Sequence, residues 1–177
     1  MGGVSNDNVE LVEIAICTDP WETVEVDAFV CPTNSEGRLS EYPGSKIRKL
    51  AGIDVETPVA QHAPIAVGAA VVTPAGNMRA KHLVHVPNTE APGGKVQVED
   101  VLRATAAALV ACQVKGFGSV AIPLMGAFEN GIPAEEAARA IHGEIRAFRA
   151  TQPLRVLLLA KDMDELEVFE MAIETAT

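Results

Sequence analysis

Residues 123–133, with the sequence Pro-Leu-Met-Gly-Ala-Phe-Glu-Asn-Gly-Ile-Pro, form the stretch of this chain best suited to binding an anion. Gly126 and Gly131 lie in it, between an apolar run at 119–122 and a segment of helical periodicity at 134–148. A glycine-bearing turn between a strand and a helix leaves backbone N–H groups free at the helix N-terminus, where an anionic group binds well. The sequence therefore predicts a candidate phosphate site here.

The same two glycines also have a simpler explanation. Most strand-to-helix turns contain glycine, because tight backbone angles favour it. Glu129 lies between the two glycines, where its carboxylate would repel a phosphate. A spacing of two glycines is a weak motif by itself, so both explanations stay open.

Asp19 is a second candidate, because it follows the alternating apolar segment 11–17, which is typical of a strand. A carboxylate at the carboxyl end of a strand is well placed to bind a ligand. Asp19 also precedes Pro20, and that pair is typical of the start of a short helical turn, with Asp19 as its cap. The residues alone leave both roles open.

No Ser-His-Asp arrangement and no metal-ligand spacing occurs in the sequence, so neither a metal nor a cofactor is expected. His82 and His85 are three residues apart in a predicted strand and therefore point to opposite faces. Three cysteines, Cys17, Cys31 and Cys112, are widely separated, which predicts buried free thiols and no disulfide framework.

The charge balance argues against several classes of function. The chain has 14 Lys and Arg against 24 Asp and Glu, a formal net charge of −10, which argues against binding to nucleic acid or to an anionic membrane. Residues 1–8 lack the basic and apolar regions of a signal peptide, and no apolar run is long enough to span a bilayer. We expect a cytoplasmic protein with no membrane partner.

The elements that must position these residues indicate one α/β domain at 10–177, after a flexible leader at 1–9. Hydrophobic residues make up 48% of the chain but aromatic ones only 4%, which favours an aliphatic core and a buried parallel sheet. Strands and helices alternate through the second half, as in a doubly wound sheet. The predicted strands lie at 11–17, 26–31, 68–73, 82–86, 119–122 and 154–160, and the predicted helices at 45–51, 97–115, 134–148 and 162–174.

Two segments between these elements are irregular. Residues 35–44 form a long loop between a strand and a helix, a place that often carries function, and Ser45 is expected to cap the helix that follows. The segment 53–65 stays ambiguous, because Pro58 and Pro64 interrupt any regular element.

Several stretches together resemble the macro domain family, whose members are α/β modules that bind ADP-ribose and related nucleotides. Residues 26–34, Val-Asp-Ala-Phe-Val-Cys-Pro-Thr-Asn, are similar to the family's Val-Asp-Ala-Ile-Val-Asn-Ala-Ala-Asn. Residues 68–77 and 80–85 match a central segment that ends in Ile-Ile-His, and 123–133 align without a gap to Pro-Ala-Ile-Ser-Thr-Gly-Ile-Tyr-Gly-Tyr-Pro. This resemblance spans about residues 11–175. It implies a three-layer α/β/α fold with a mixed, mostly parallel central sheet.

The resemblance also implies where a ligand lies. Asp19 would accept a hydrogen bond from the adenine amino group, and Asn34 would lie near the distal ribose as the one candidate catalytic residue. The backbone from Gly126 to Gly131 would cradle the diphosphate, and Tyr42 or Phe128 would supply a stacking surface. The expected ligand-binding residues are Asp19, Asn34, Tyr42, Gly126, Ala127, Phe128, Glu129, Asn130 and Gly131.

This chain departs from the family in both loops. Residues 39–42, Leu-Ser-Glu-Tyr, stand where hydrolytic members carry glycines, and their bulk is expected to prevent the same close approach to phosphate. Cys31 replaces the first Asn of the family motif, and Phe128, Glu129 and Asn130 replace a glycine, an apolar residue and an aromatic one. These departures favour binding over catalysis and leave the presence of an enzyme activity open.

Two functions of different class follow. In the first, the chain binds ADP-ribose or a related adenine nucleotide, with an ADP-ribosylated protein as a further expected partner. Any retained activity would be hydrolysis of ADP-ribose from protein, or of an acetyl ester of ADP-ribose, by a positioned water. In the second, the chain is a degenerate module for protein interaction or scaffolding that does not bind ADP-ribose. An open cleft between the loops would favour the first function, and a cleft filled by Phe128 or Tyr42 the second.

Overall fold

Strand β2 (Ala28–Thr33) lies inside a six-stranded sheet and is buried along its whole length. The computed structural model describes residues 10–176. The strand order is β1-β6-β5-β2-β4-β3, with β3 antiparallel to β4 and every other neighbouring pair parallel. The remaining strands are β1 (Val12–Cys17), β3 (Val71–Pro74), β4 (His82–Pro87), β5 (Ser119–Pro123) and β6 (Leu154–Leu159).

Helices cover both faces of this sheet, because successive side chains of a strand point to opposite sides. Val30 of β2 packs into the core that includes α3, α4 and α5, whereas Phe29 and Cys31 pack into the core beneath α1. The predicted mixed, mostly parallel α/β fold is therefore confirmed. The helices are α1 (Gly44–Ala51), α2 (Glu56–Ala60), α3 (Val98–Lys115), α4 (Ala134–Ala147) and α5 (Met163–Thr175).

The structure differs from the sequence-based expectations at several element boundaries. The ambiguous segment contains α2, which accommodates Pro58 in its first turn, where a missing N–H costs little. Strand β2 runs on through Pro32, because β2 pairs with β5 only at Ala28 and Phe29 and one flank is free beyond that point. Helix α1 begins at Gly44 without a side-chain cap, so the expected capping role of Ser45 is wrong.

Three further expectations concern the leader, membrane-spanning helices and the cysteines. The predicted leader at 1–9 lies outside the described residues. Within residues 10–176, no helix combines the length and the apolar character needed to cross a bilayer. Of the three cysteines, Cys31 and Cys112 are buried as expected, whereas Cys17 is partly exposed.

His85 of β4 is completely buried and makes stability depend on pH. Its Nε2 lies 2.8 Å from Thr73 Oγ1, and its Nδ1 has no hydrogen-bond partner among the described residues. Burial lowers the pKa of His85 to about 4, from 6.5 for an ordinary imidazole. The unfolded chain thus takes up this proton at a higher pH than the folded chain does.

We therefore expect the folded state to lose stability as pH falls from about 6.5 to about 4, by up to about 3 kcal/mol from this residue. Other carboxyl groups titrate over part of this range, so the His85→Gln variant isolates the contribution. Urea unfolding of both proteins at a series of pH values measures the difference in their free energies of unfolding. As pH falls from about 6.5 to about 4, the wild type should lose about 3 kcal/mol more free energy of unfolding than His85→Gln does. A difference that does not change with pH would contradict the prediction.

Candidate functional site

A crevice lies where the five parallel strands end, at one edge of the sheet. The first loop (residues 34–43) follows β2, and the second loop (residues 124–133) follows β5. The connection 88–97 follows β4 and lies beside them. This arrangement agrees with the rule that open α/β sheets bind ligands outside the carboxyl ends of their strands.

Asn34 begins the first loop and is buried, with 1% of its surface exposed. Its Oδ1 accepts hydrogen bonds from the N–H groups of Glu36 at 3.1 Å and Arg38 at 3.2 Å. Its Nδ2 donates to the Arg38 carbonyl at 3.1 Å and to Glu41 Oε2 at 3.5 Å. An Asn amide has two donors and two acceptor positions, and all four are used here. Asn34 therefore shapes the loop, and its predicted ligand contact stays a prediction.

Glu56 of α2 holds the middle of the first loop. Its Oε2 accepts the N–H of Leu39 at 2.7 Å and lies 3.4 Å from Arg48 Nη1, while its Oε1 lies 3.5 Å from Arg38 Nη1. The Leu39 side chain is buried among the residues beneath α1. Leu39 therefore does not project into the crevice, whereas Glu41 and Tyr42 of the same expected bulky stretch line it.

The second loop is a closed turn with unpaired donors. The Ile132 N–H donates to the Gly126 carbonyl at 2.8 Å, and the Gly131 N–H donates to the Phe128 carbonyl at 2.7 Å. Gly126 has φ +79°, a left-handed conformation that favours glycine. The backbone N–H groups of residues 127–130 make no hydrogen bond within the described part of the chain. These four groups are available to an anion.

Asn130 ties the second loop to the connection after β4. Its Nδ2 donates to the Gly93 carbonyl at 2.8 Å, and its own carbonyl accepts the Val96 N–H at 3.0 Å. Its φ of 55° is left-handed, which Asn tolerates better than most residues. The side chain thus stabilises the loop, and direct contact with a ligand stays a prediction.

Two aromatic rings meet across the crevice. The Tyr42 and Phe128 ring centroids are 4.7 Å apart, with their planes at 79°, in an edge-to-face contact that we call the aromatic clasp. The pocket that remains beside it has a volume of about 40 Å³. Because one water needs roughly 10–15 Å³ on this scale, the pocket holds a few waters and is too small for a nucleotide. The cleft is thus filled in the way that sequence analysis associated with a scaffold.

Asp19 is exposed just beyond the end of β1. The 3₁₀ turn Trp21–Thr23 that follows has Pro20 at its N-cap and no side-chain capping bond, so the capping explanation for Asp19 is wrong. Within residues 10–176 the Asp19 carboxylate has no hydrogen-bond or ion-pair partner. It is available for a ligand at the same edge of the sheet as the crevice.

Comparison with known proteins places this arrangement in a family. The statistical model of the Macro domain family matches residues 30–141. The chain belongs to the macro domain family. A protein of Aquifex aeolicus is 37% identical to this macro domain over 162 residues, which cover 92% of this chain and 98% of the relative. The predicted family resemblance is confirmed.

Solved macrodomain structures share the fold at low sequence identity. The Trypanosoma brucei macrodomain in complex with ADP-ribose superposes with a TM-score of 0.76 at 19% identity, over 90% of this chain and 68% of that one. The Oceanobacillus iheyensis macrodomain with ADP superposes with a TM-score of 0.78 at 16% identity, over 93% and 90%.

In this macro domain, sequence reasoning missed Lys161. The residue lies two positions after the end of β6. Its Nζ lies 4.9 Å from the Tyr42 ring centroid, 5.3 Å from that of Phe128 and 3.7 Å from Glu165 Oε2. A signal was present, because Lys161 follows a predicted strand at the edge where ligands bind. It was overlooked because the neighbouring Asp162 explained the segment as a helix cap, which the structure confirms.

The surroundings of the clasp are acidic. Burial raises the pKa of Tyr42 to about 12, with the negative charges of Glu165 and Asp162 adding to the effect. Burial also raises the pKa of Glu165, and the hydrogen bond and positive charge of Lys161 oppose that shift. The Tyr42 hydroxyl is buried without a partner among the described residues. Around the clasp, the described residues therefore present a ligand with a neutral phenol, several carboxylates and the ammonium group of Lys161.

Proposed function

We propose that this macro domain binds ADP-ribose or a related adenine nucleotide in the crevice between the first and second loops. The observation that carries the proposal is the row of unpaired N–H groups at residues 127–130, at the carboxyl edge of the sheet. Unpaired backbone N–H groups in a turn bind phosphate oxygens well, and the start of α4 adds positive partial charge. The ligands named for the T. brucei and O. iheyensis macrodomains, ADP-ribose and ADP, agree with this chemistry.

Asp19 and Asn34 have different roles in the proposed complex. The exposed Asp19 carboxylate would accept a hydrogen bond from the adenine amino group, because no described residue occupies it. Asn34 stabilises the first loop, because its side-chain amide makes all its hydrogen bonds within that loop. We assign no hydrolytic step to Asn34 for that reason, and the proposal is one of binding. An ADP-ribosylated protein is a proposed partner, as a carrier of the same group.

The aromatic clasp opposes the ligand only weakly. An edge-to-face aromatic pair contributes about 0.5–1.5 kcal/mol beyond the area that it buries. Loss of this edge-to-face term on separation of Tyr42 and Phe128 would lower the affinity by about tenfold, in addition to the effect of exposing apolar ring surface. Several phosphate hydrogen bonds, each of about 1.5–3 kcal/mol when charged groups take part, exceed that cost. The closed crevice is thus compatible with binding.

Isothermal titration calorimetry of ADP-ribose against the purified protein tests the proposal, with ADP as a second ligand. We expect micromolar binding that Asp19→Ala weakens by about 1.5–3 kcal/mol, the contribution of one hydrogen bond to a charged group. The matched control is Glu22→Ala, which removes an exposed carboxylate three residues away and should leave the affinity unchanged. Absence of heat at millimolar ADP-ribose would contradict the proposal.

The filled crevice favours a second candidate function, a degenerate module for protein interaction that does not bind ADP-ribose. The same titration with Phe128→Ala separates the two. Tighter binding by Phe128→Ala than by the wild type would identify a binding module whose clasp opposes the ligand. No binding by either protein would favour the scaffold.

A further inference from the structure

Lys161 is the one basic side chain, within residues 10–176, that lines either of the two cavities beside the aromatic clasp. The first cavity is the pocket between the loops, and Glu41 and Glu129 line it. The second has a volume of about 470 Å³ and lies between the second loop, the start of α4 and helix α5. Its wall carries five carboxylates. Every charged side chain that lines the two cavities is therefore a carboxylate except Lys161.

The ammonium group of Lys161 has a defined position, but its hydrogen-bond donors are not all used. The Lys161 backbone N–H donates to Glu165 Oε1 at 3.0 Å, which fixes the start of the side chain. The Nζ lies 3.7 Å from Glu165 Oε2, well beyond the roughly 2.7–2.9 Å of a charge-assisted hydrogen bond. Its other neighbours are the faces of two aromatic rings, which attract a cation without using its donors. Donors of the ammonium group are thus available to a stronger acceptor.

The position of Lys161 beside the second loop indicates that an anion bound at this loop would accept hydrogen bonds from the ammonium group. Phe128 supplies both a ring 5.3 Å from the Lys161 Nζ and one of the free N–H groups. A flexible lysine stem can carry the ammonium toward an anion bound at this N–H row. Glu41 and Glu129 repel a diphosphate bound at the N–H row, so a nearby ammonium group strengthens the binding of this ligand.

We infer that Lys161 is a specificity-determining residue that selects ligands with a diphosphate over nucleosides, an inference that rests on the proposed function. Its ammonium leaves the clasp rings and pairs with the diphosphate bound at residues 127–130. A nucleoside without phosphate gains nothing from this residue. The clasp and Glu165 keep the cation at the crevice until the anion arrives.

Calorimetric titration of three ligands, ADP-ribose, adenosine and inorganic pyrophosphate, tests the inference, with pyrophosphate binding followed also by NMR chemical shifts. Lys161→Met keeps the apolar stem and removes the charge, and Lys161→Arg restores a charge. The control is Lys115→Met, at the far end of α3 outside both cavities. We expect Lys161→Met to weaken ADP-ribose and pyrophosphate binding by about tenfold or more. Adenosine binding, and every affinity of the control, should stay within about twofold, and Lys161→Arg should recover most of the loss.

A second readout is the salt dependence of ADP-ribose affinity, which should be less steep for Lys161→Met because one screened charge pair is gone.

Unchanged or tighter binding of ADP-ribose and pyrophosphate by Lys161→Met would overturn the inference while leaving the proposed function intact. An equal loss for adenosine would overturn it too, because the residue would then only support packing. The wild type could also bind pyrophosphate, with a dependence on Lys161, but not ADP-ribose. That result would support the anion site and reject the proposed function. A wild type that binds neither would reject both.

Discussion

Replacement of Gly131 by alanine is expected to abolish ADP-ribose binding and to lower the free energy of unfolding by about 2 kcal/mol. A Cβ at this position would contact the Gly126 carbonyl oxygen and would lie 2.7 Å from both N and O of Phe128. These atoms belong to the backbone and cannot turn away as a side chain can. The turn must therefore open, and the unpaired N–H groups at 127–130 change position. Urea unfolding and calorimetry measure the two effects.

Gly143→Ala is the matched control for this prediction. Gly143 lies in α4, and no atom lies within 4 Å of a Cβ built there, so alanine fits without strain. A glycine inside a helix costs about 0.5–1 kcal/mol relative to alanine. The control should therefore gain about that much stability and bind ADP-ribose unchanged. If Gly131→Ala behaves like the control, the second loop is not the rigid anion site proposed here.

Asn34→Ala is expected to destabilise the protein by about 3 kcal/mol even without a ligand. The substitution deletes four hydrogen bonds at a buried position and leaves the N–H groups of Glu36 and Arg38 without their acceptor. The first loop, which carries Tyr42, would then shift, and nucleotide affinity would fall as a consequence. Urea unfolding of the ligand-free protein tests this directly.

Two further variants make the Asn34 result specific. Asn88→Ala removes a half-buried Asn from the neighbouring connection, whose side chain makes no hydrogen bond within the described residues, and should change stability by no more than about 0.5 kcal/mol. Asn34→Asp keeps the acceptor for the two N–H groups but places a carboxylate beside Glu41, so an intermediate loss is expected. If Asn34→Ala kept full stability and lost only affinity, the residue would be a ligand contact, as its family position suggests.

The order of strands and helices could be predicted because it depends on local patterns. The apolar runs that became β1, β5 and β6 and the helical periodicity of α3 are visible within short windows of sequence. One boundary that was wrong, the end of β2, depended on a distant neighbour. Pro32 remains in β2 because β5 stops pairing beside it, which no window around Pro32 reveals.

The candidate site was predicted in part. The second loop stood out because two glycines between a strand and a helix are a local signal, and the alignment to the family motif strengthened it. Asn34 was selected by the same motif, but its hydrogen bonds within the first loop appear only once the chain is folded. Its family position therefore suggested a ligand contact where the structure has a support for the loop.

By itself, then, the sequence determined the α/β fold, the macro domain family and the edge of the sheet at which to look for a ligand. Each follows from patterns and motifs carried by neighbouring residues. Only the tertiary structure decided what fills that edge. Tyr42, Phe128 and Lys161 come from three separate connections, and they meet because the ends of β2, β5 and β6 lie side by side in the sheet. Strand order is a property of the whole chain, so the aromatic clasp and its lysine could not be derived from any one segment.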